Sequence, residues 1–544
     1  MTQVPSSADY VIVGGGSAGC VLAARLSEDP NVTVVLLEAG GEGKGFLIDM
    51  PAGTAKLMGN PQHDWRLQTR PDPSLGGRSM TWGAGKMLGG SSGINGQVYM
   101  RGARGDYDGW AALGCTGWSF NEVMPYFLRA ETFHGPTSQT HGAHGPLSVS
   151  PIPEPQPVGR YVQKAFNQIG VPSNPDYCSG DQFGVYPIYA TQRDGQRCST
   201  RRAYLEPAFS RQNLTVVTGA LVDRVRIEQS RATGVDYRVD RQSRFISARR
   251  EVIVSAGCAH SPVLLMRSGI GPAEQIAEQG IDVIADLPGV GRNLREHCTI
   301  SISKLVRIET LSKHLSPLRL TGQMLRYVFR RKGVLTTPAV QIMAGLKTDP
   351  TLAEPDIILS MLPVAVSFNA RGEAEVEKRP SFSFGFHVAR PQSRGVVRLG
   401  GCDADSPPII EPCLLGAQTD LDKLVAACKL VESACRAPAL AEIITGSIRP
   451  VPIPTSDQQW CEYIRQGAGI GYHMVGTCRM GSLDDPLAVV DPQLKVRGVE
   501  ALRVIDASVM PEPVSANTNA PTIMIAEKAV DMIRQACGPR TFAG

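Results

Sequence analysis

The chain has 544 residues, too many for one ordinary hydrophobic core, so two domains are expected. A formal net charge of +4, with basic residues spread along the chain, gives no electrostatic footprint for nucleic acid. No run of about eighteen apolar residues is present to span a bilayer. The opening MTQVPSSADY lacks the basic and apolar regions of an export signal, and the 13 cysteines are scattered with no CxxC pair. A reduced, cytoplasmic protein without a disulfide frame is therefore expected.

In chain order, Ala8–Val13 reads as a buried strand, Gly14, Gly16 and Gly19 complete GxGxxG, and Val21–Leu26 continues as a helix. One glycine serves the tight turn, one the close approach of backbone to a pyrophosphate, one the packing of helix on strand. A second strand, Val32–Leu37, ends at Glu38, where a ribose hydroxyl needs an acceptor. A dinucleotide is expected here, and NAD and FAD both fit. Gly85–Asn95 (GKMLGGSSGIN) is too rich in small residues for a regular element and reads as backbone made for close approach to a ligand. Pro136–Gly145 carries His141 and His144 but no accompanying thiolate or carboxylate set, so a flexible loop is expected there and no metal site.

Further on, a strand over Glu251–Ser255 leads through Ala256-Gly257 into Ser261–Gly271. Leu318–Lys332 is a basic amphipathic stretch, read first as a lid or solvated helix, with contact to a membrane surface left open. Ser381–Val388 and Gly395–Leu399 alternate as exposed strands do. Ala501–Asp506 reads as a strand, Asp506–Ser508 as a turn, and Pro521–Ile533 as a helix with proline in its first turn.

These segments together resemble the glucose–methanol–choline (GMC) family of FAD-dependent oxidoreductases, over nearly the whole chain. The resemblance rests on the glycine loop, GKxLGGSSxxN, SPxLLxxSGIG, Gly289–Leu294, and the HxxGT motif that begins at His473. It implies an α/β FAD-binding Rossmann-like domain and an α+β substrate domain with an antiparallel sheet. The division it suggests is residues 1–150, 206–300 and 466–544 for the first and 151–205 with 301–465 for the second. It implies FAD contacts by Gly14, Gly16, Ser17, Ala18, Gly19, Glu38, Ala39, Met87, Leu88, Gly89, Gly90, Asn95, Gly96, Gln97 and Val98. Val222, Ala256, Asp506, Ala507, Asn517, Pro521 and Thr522 complete the implied set. Some family members tether FAD to a histidine; Ile94 stands at that place, so noncovalent FAD is expected. Cys258 departs from the family's usual small residue, without expected consequence.

The implied reaction is oxidation of an alcohol, with His473 as general base and Asn517 donating a hydrogen bond to the substrate oxygen. A histidine pKa near working pH is expected for that base. A primary alcohol is the expected substrate, since no acid for a trimethylammonium group occurs around Gln341–Gly345. The acceptor is a quinone or dye, or O2, with the dehydrogenase branch preferred. The sequence leaves open the oligomeric state and an association with the inner face of a membrane. The alternatives are a cyanohydrin lyase or a photodecarboxylase on the same fold, and a scaffold without catalysis.

Overall fold

The computed structural model describes residues 4–136, 138–368 and 374–536. Its first sheet starts with β1 (Ser7–Val13) and β2 (Val34–Glu38), joined by α1 (Ser17–Leu26). Both strands are apolar on both faces because helices and further chain cover the sheet on each side. β2 starts two residues later than the apolar run suggests, as Val32 closes a turn onto the Asp29 carbonyl. Four more strands follow: β3 (Leu214–Thr218), β4 (Leu221–Glu228), β5 (Arg231–Val239) and β6 (Gln242–Val254). The order is β3-β2-β1-β6-β5-β4. β6 has two uses. Its first half, Gln242–Ser247, pairs antiparallel with β5, and Glu251–Val254 runs parallel to Tyr10–Val13. α2 (Gly257–Arg267) leaves its end.

The second sheet is antiparallel throughout. It is built from β7 (Cys298–Val306), β8 (Ile342–Leu346), β9 (Ile357–Leu362), β10 (Ser381–Val388), β11 (Ile444–Arg449) and β12 (Gly469–Ile470). The order is β8-β9-β10-β7-β11, with β12 also on β7. Between β7 and β8 lies α3 (Pro317–Arg330), and α4 (Gln418–Arg436) precedes β11. The expectation of an exposed strand at Ser381–Val388 is overturned: β10 is central, and only Gly385 within it is partly open. Phe382, Phe384 and Phe386 point into a core with Leu421, Leu424, Val425, Cys428 and Val431 of α4. Period-two alternation sends Ser383 and His387 to the other face, toward the first sheet.

The chain then returns to the first sheet. β13 (Leu502–Val504) lies parallel to Val252–Val254 of β6, and Asp506 caps a short turn at Ala507–Val509. α5 (Asn519–Ala536) packs on α1, tied by Ser17 Oγ to Asn519 Oδ1 (2.8 Å) and Arg25 to Glu527 (2.9 Å). β1, β2, β6 and β13 are mutually parallel through their pairings, so their carboxyl ends share one edge. In open α/β sheets that edge is where ligands bind.

Candidate active site

A cavity of about 350 Å³ runs across these carboxyl ends, from Glu38 on β2 to Asp506 after β13. Gly14, Gly16, Ser17, Ala18, Glu38, Ala39 and Val222 line it, as do Gly90, Asn95, Gly96, Gln97 and Val98. Ala256, Asp506, Ala507, Thr522, His473 and Asn517 complete the sequence-derived residues on its wall. Gly19, Met87, Leu88, Gly89 and Pro521 do not line it. Gly19 faces the strand instead: a Cβ there would sit 1.9 Å from the Gly14 carbonyl oxygen. Met87 and Leu88 are buried in the apolar interior, and Pro521 in the first turn of α5. The Gly89 N–H donates to the Gly15 carbonyl (2.7 Å), so this residue joins the two glycine segments.

The local chemistry of the glycine end suits a dinucleotide. α1 is capped at its N-terminus by Gly16, with no side chain on its first N–H groups, which leaves them for an anion. Gly14 turns with φ +99°, and a Cβ would meet the Ser255 carbonyl oxygen at 2.4 Å. A Cβ on Gly16 or Gly96 would meet nothing within 4 Å, so both present bare backbone to open space. Glu38 is held by the N–H groups of Gly15 and Gly40, each 2.7 Å away and each on a different carboxylate oxygen. Each oxygen keeps capacity for a further donor such as a ribose hydroxyl. Burial pushes the Glu38 carboxyl up, while both N–H groups and Lys86 pull it down. Asp506 accepts from Gly257 N (2.8 Å), Ser261 Oγ (2.6 Å) and Ser508 N (2.8 Å), so it binds the end of β13 to the start of α2.

At the other end, the hydrogen bonds of His473 fix which nitrogen carries its proton. His297 Nε2 lies 3.1 Å from the Ala389 carbonyl oxygen, which can only accept, so that nitrogen is the donor. Burial, with His387 and His473 nearby, holds His297 well below the usual imidazole range, so the ring is neutral and its Nδ1 accepts. Its Nδ1 partner, 2.9 Å away, is His473 Nδ1, which must donate. Burial pushes His473 down to about 3, so it too is neutral, and its Nε2 carries a lone pair. Asn517 Nδ2 donates to that nitrogen at 2.8 Å. The expectation of a pKa near working pH is thus corrected: removal from water makes His473 a base that is unprotonated throughout the neutral range.

Several contributors to this site were not singled out from sequence. Glu296 accepts from the N–H groups of His473 (2.7 Å) and His297 (2.8 Å), fixing both backbones, and burial raises its carboxyl to about 8. The His387 ring stacks on His297 at 4.0 Å. Trp65, Trp82 and Tyr472 give the cavity aromatic walls, and Trp65 packs on His260 with ring centroids 4.4 Å apart. Gln97 is buried at φ +63°, an uncommon conformation held by its side chain: Nε2 donates to Pro51 O (3.0 Å) and Oε1 accepts from Gln192 (3.1 Å). Glu38 and Asp506 are the only acids on the cavity wall among the described residues.

Two histidine clusters bear on metal binding. His297, His387 and His473 bring ring nitrogens within 4.8 Å of one another, but the hydrogen bonds above occupy both nitrogens of His297 and of His473. His141 is a correction. Carboxylates do accompany it: Nδ1 is 2.6 Å from Glu131 and Nε2 is 3.3 Å from Asp176, with Cys178 adjacent. These acids lie ten and 35 residues away in sequence, and the fold brings them in. Arg101 pairs with Glu131 in the same buried cluster, so His141 is an anchored part of an ion-pair network and its segment is no free loop. His144 is exposed.

The sheet order and the glycine-lined crevice define a dinucleotide-binding α/β protein roofed by a second, antiparallel sheet. The GMC oxidoreductase model matches residues 8–299 at the N-terminal side and 391–526 at the C-terminal side. The chain belongs to the GMC oxidoreductase family, whose cofactor is FAD and whose members oxidise alcohols. It is 38% identical to an alcohol dehydrogenase [acceptor] of Pseudomonas putida, over 96% of this chain and 95% of that one. It is 37% identical to an oxygen-dependent choline dehydrogenase of Brucella anthropi, over 97% and 95%. Among solved structures, pyridoxine 4-oxidase from Mesorbium loti superposes with a TM-score of 0.87 at 30% identity, over 97% of this chain and 99% of that one.

Proposed function

We propose that the chain oxidises an uncharged primary alcohol to an aldehyde, with His473 Nε2 as the general base and Asn517 as the hydrogen-bond donor to the substrate oxygen. The observation that carries this reading is the oriented lone pair on His473 Nε2, held beside the Asn517 amide at 2.8 Å in the cofactor cavity. FAD, held noncovalently where Ile94 replaces a tethering residue, supplies the hydride acceptor when bound. Everything else falls to the protein. The substrate hydroxyl replaces the Asn517 N–H at His473 Nε2, His473 takes the hydroxyl proton there, and the imidazolium so formed shares its charge through Nδ1–H with His297. Asn517 offers its amide hydrogen to the oxygen as charge builds there, and does so without titrating.

The acids of the cavity support an uncharged substrate. Glu38 lies at the glycine-loop end of the cavity, Asp506 holds the start of α2, and Glu296 holds the His473 backbone, so no acid of the wall faces His473 to pair with a trimethylammonium group. The aromatic walls suit an aliphatic or aromatic alcohol instead. The acceptor in this reading is a quinone, in keeping with the 38% identical acceptor-linked alcohol dehydrogenase.

A panel of alcohols mixed anaerobically with the flavin-loaded enzyme tests the reading. Primary alcohols should bleach the flavin band faster than choline does, and readmitted air should yield little peroxide compared with a quinone or dye acceptor. Turnover with an unchanged flavin spectrum would point to a lyase and remove the proposal.

A further inference from the structure

α3 plays no part in the site, yet its surface is patterned. At 100° per residue, Leu318, Leu325 and Phe329 fall within about 40° of one line along the helix. They are 86%, 54% and 80% exposed. Met324 and Tyr327 occupy the opposite side and pack with Met50 and Leu335, so the apolar line points outward. Arg319, Arg326 and Arg330 form a second row about 100° round from it. No aspartate or glutamate occurs between Glu309 and Asp349, a stretch that also holds Lys313, Arg331 and Lys332.

A solvated helix would not expose leucine and phenylalanine in a row, and a lid would bury them. We propose that the outer face of α3 docks the enzyme on a lipid bilayer that carries anionic headgroups. The ridge is convex, so it suits a fluid apolar layer that closes around it, whereas a protein partner would have to supply a matching groove. Arg326 pairs with Glu154 at 2.8 Å, and Arg319 and Arg330 with the exposed Lys332 complement phosphate headgroups. A second copy seated on the same ridge would instead set Arg319 and Arg330 against like charges.

The place of the ridge gives the docking a use, and here the inference rests on the quinone reading above. α3 sits on Met50, whose neighbour Pro51 accepts the Gln97 side-chain hydrogen bond, and Gln97 lines the cofactor cavity. The bilayer would thus lie against the layer of chain next to the flavin site, where a lipid-soluble acceptor is concentrated.

Flotation of the flavin-loaded enzyme with vesicles tests this. Vesicles of phosphatidylcholine mixed with phosphatidylglycerol should carry the enzyme, phosphatidylcholine alone at least about tenfold less, and high salt should weaken the binding. The triple variant Leu318→Ser, Leu325→Ser, Phe329→Ser should lose binding about tenfold or more, with anaerobic bleaching by alcohol unchanged. Arg330→Glu with Lys332→Glu, both exposed, should lose binding to the anionic vesicles as a second variant. Equal flotation of wild type and both variants, or none by wild type, would overturn docking. A dimer abolished by the triple variant, without flotation, would also overturn it in favour of self-association. Flotation with no reduction of vesicle ubiquinone would leave docking standing and sink the quinone reading alone.

Discussion

A proton's position on one imidazole depends here on a carbonyl two hydrogen bonds away. Ala389 O fixes the His297 tautomer, and His297 fixes that of His473. His473→Ala should keep its flavin and lose about 10²-fold or more in the rate of flavin reduction by alcohol, read by stopped flow. His297→Phe removes the acceptor for Nδ1–H, so the tautomer with its proton on the reactive Nε2 becomes populated. Its flavin reduction should slow by on the order of 10²-fold with KM little changed, as a misdirected base is inert while binding is intact. His297→Asn, which keeps an acceptor oxygen, should recover part of the loss; equal damage in both variants would make the role merely structural. Since burial depresses His473 to about 3, the wild-type rate should show no acid limb from this residue between pH 5 and 8.

Elements show which parts of the site a sequence can announce. The glycine loop, Glu38 and the HxxGT motif are local patterns, and each lands on the cavity as a strand–turn–helix or strand end requires. Gly19→Ala should be costly because the new Cβ meets the Gly14 carbonyl, which is backbone and cannot swing aside. A loss of about 2–3 kcal/mol in thermal unfolding and weaker flavin retention on gel filtration are the expected outcomes. Other features were illegible for a physical reason. His297 and His387 meet His473 only when β7 and β10 pair and roof the first sheet, and no local spacing encodes that meeting. Glu131 and Asp176 around His141 are the same case. Ser381–Val388 shows another limit: serine and glycine alternate with phenylalanine, which looks like an exposed face but is a closely packed inner one. β6 could be read for its hydrophobic end, while its 13-residue length and double pairing depend on partners on both flanks.

For the whole molecule, the buried titratable groups set how stability varies with pH. His473 falls to about 3, and His260 and His387 to about 4, against about 6.5 for free imidazole. Between those values and 6.5 the unfolded chain binds more protons, so stability falls as pH drops through this window. Glu296, raised to about 8, acts oppositely. Its folded form holds a proton that the unfolded form releases above about 4.5, so it costs stability as pH rises toward 8. The expected result is a maximum in melting temperature near pH 7, with a steeper fall on the acid side because several histidines contribute there. A melting curve series by fluorescence checks it, and a monotonic rise to pH 9 would contradict it.

The late return of the chain has a consequence during synthesis. β6 is complete at Val254, but its parallel neighbour β13 begins only at Leu502, and α5 closes over α1 later still. At about 5–20 residues per second, a ribosome takes about 10–50 s to add the roughly 250 residues between them. For that interval the nascent sheet has an unpaired edge beside an unfinished crevice, and chaperone cover of that edge is the natural requirement. The crevice is complete only once β13 and α5 have joined the first sheet, so its full set of FAD contacts forms late in folding.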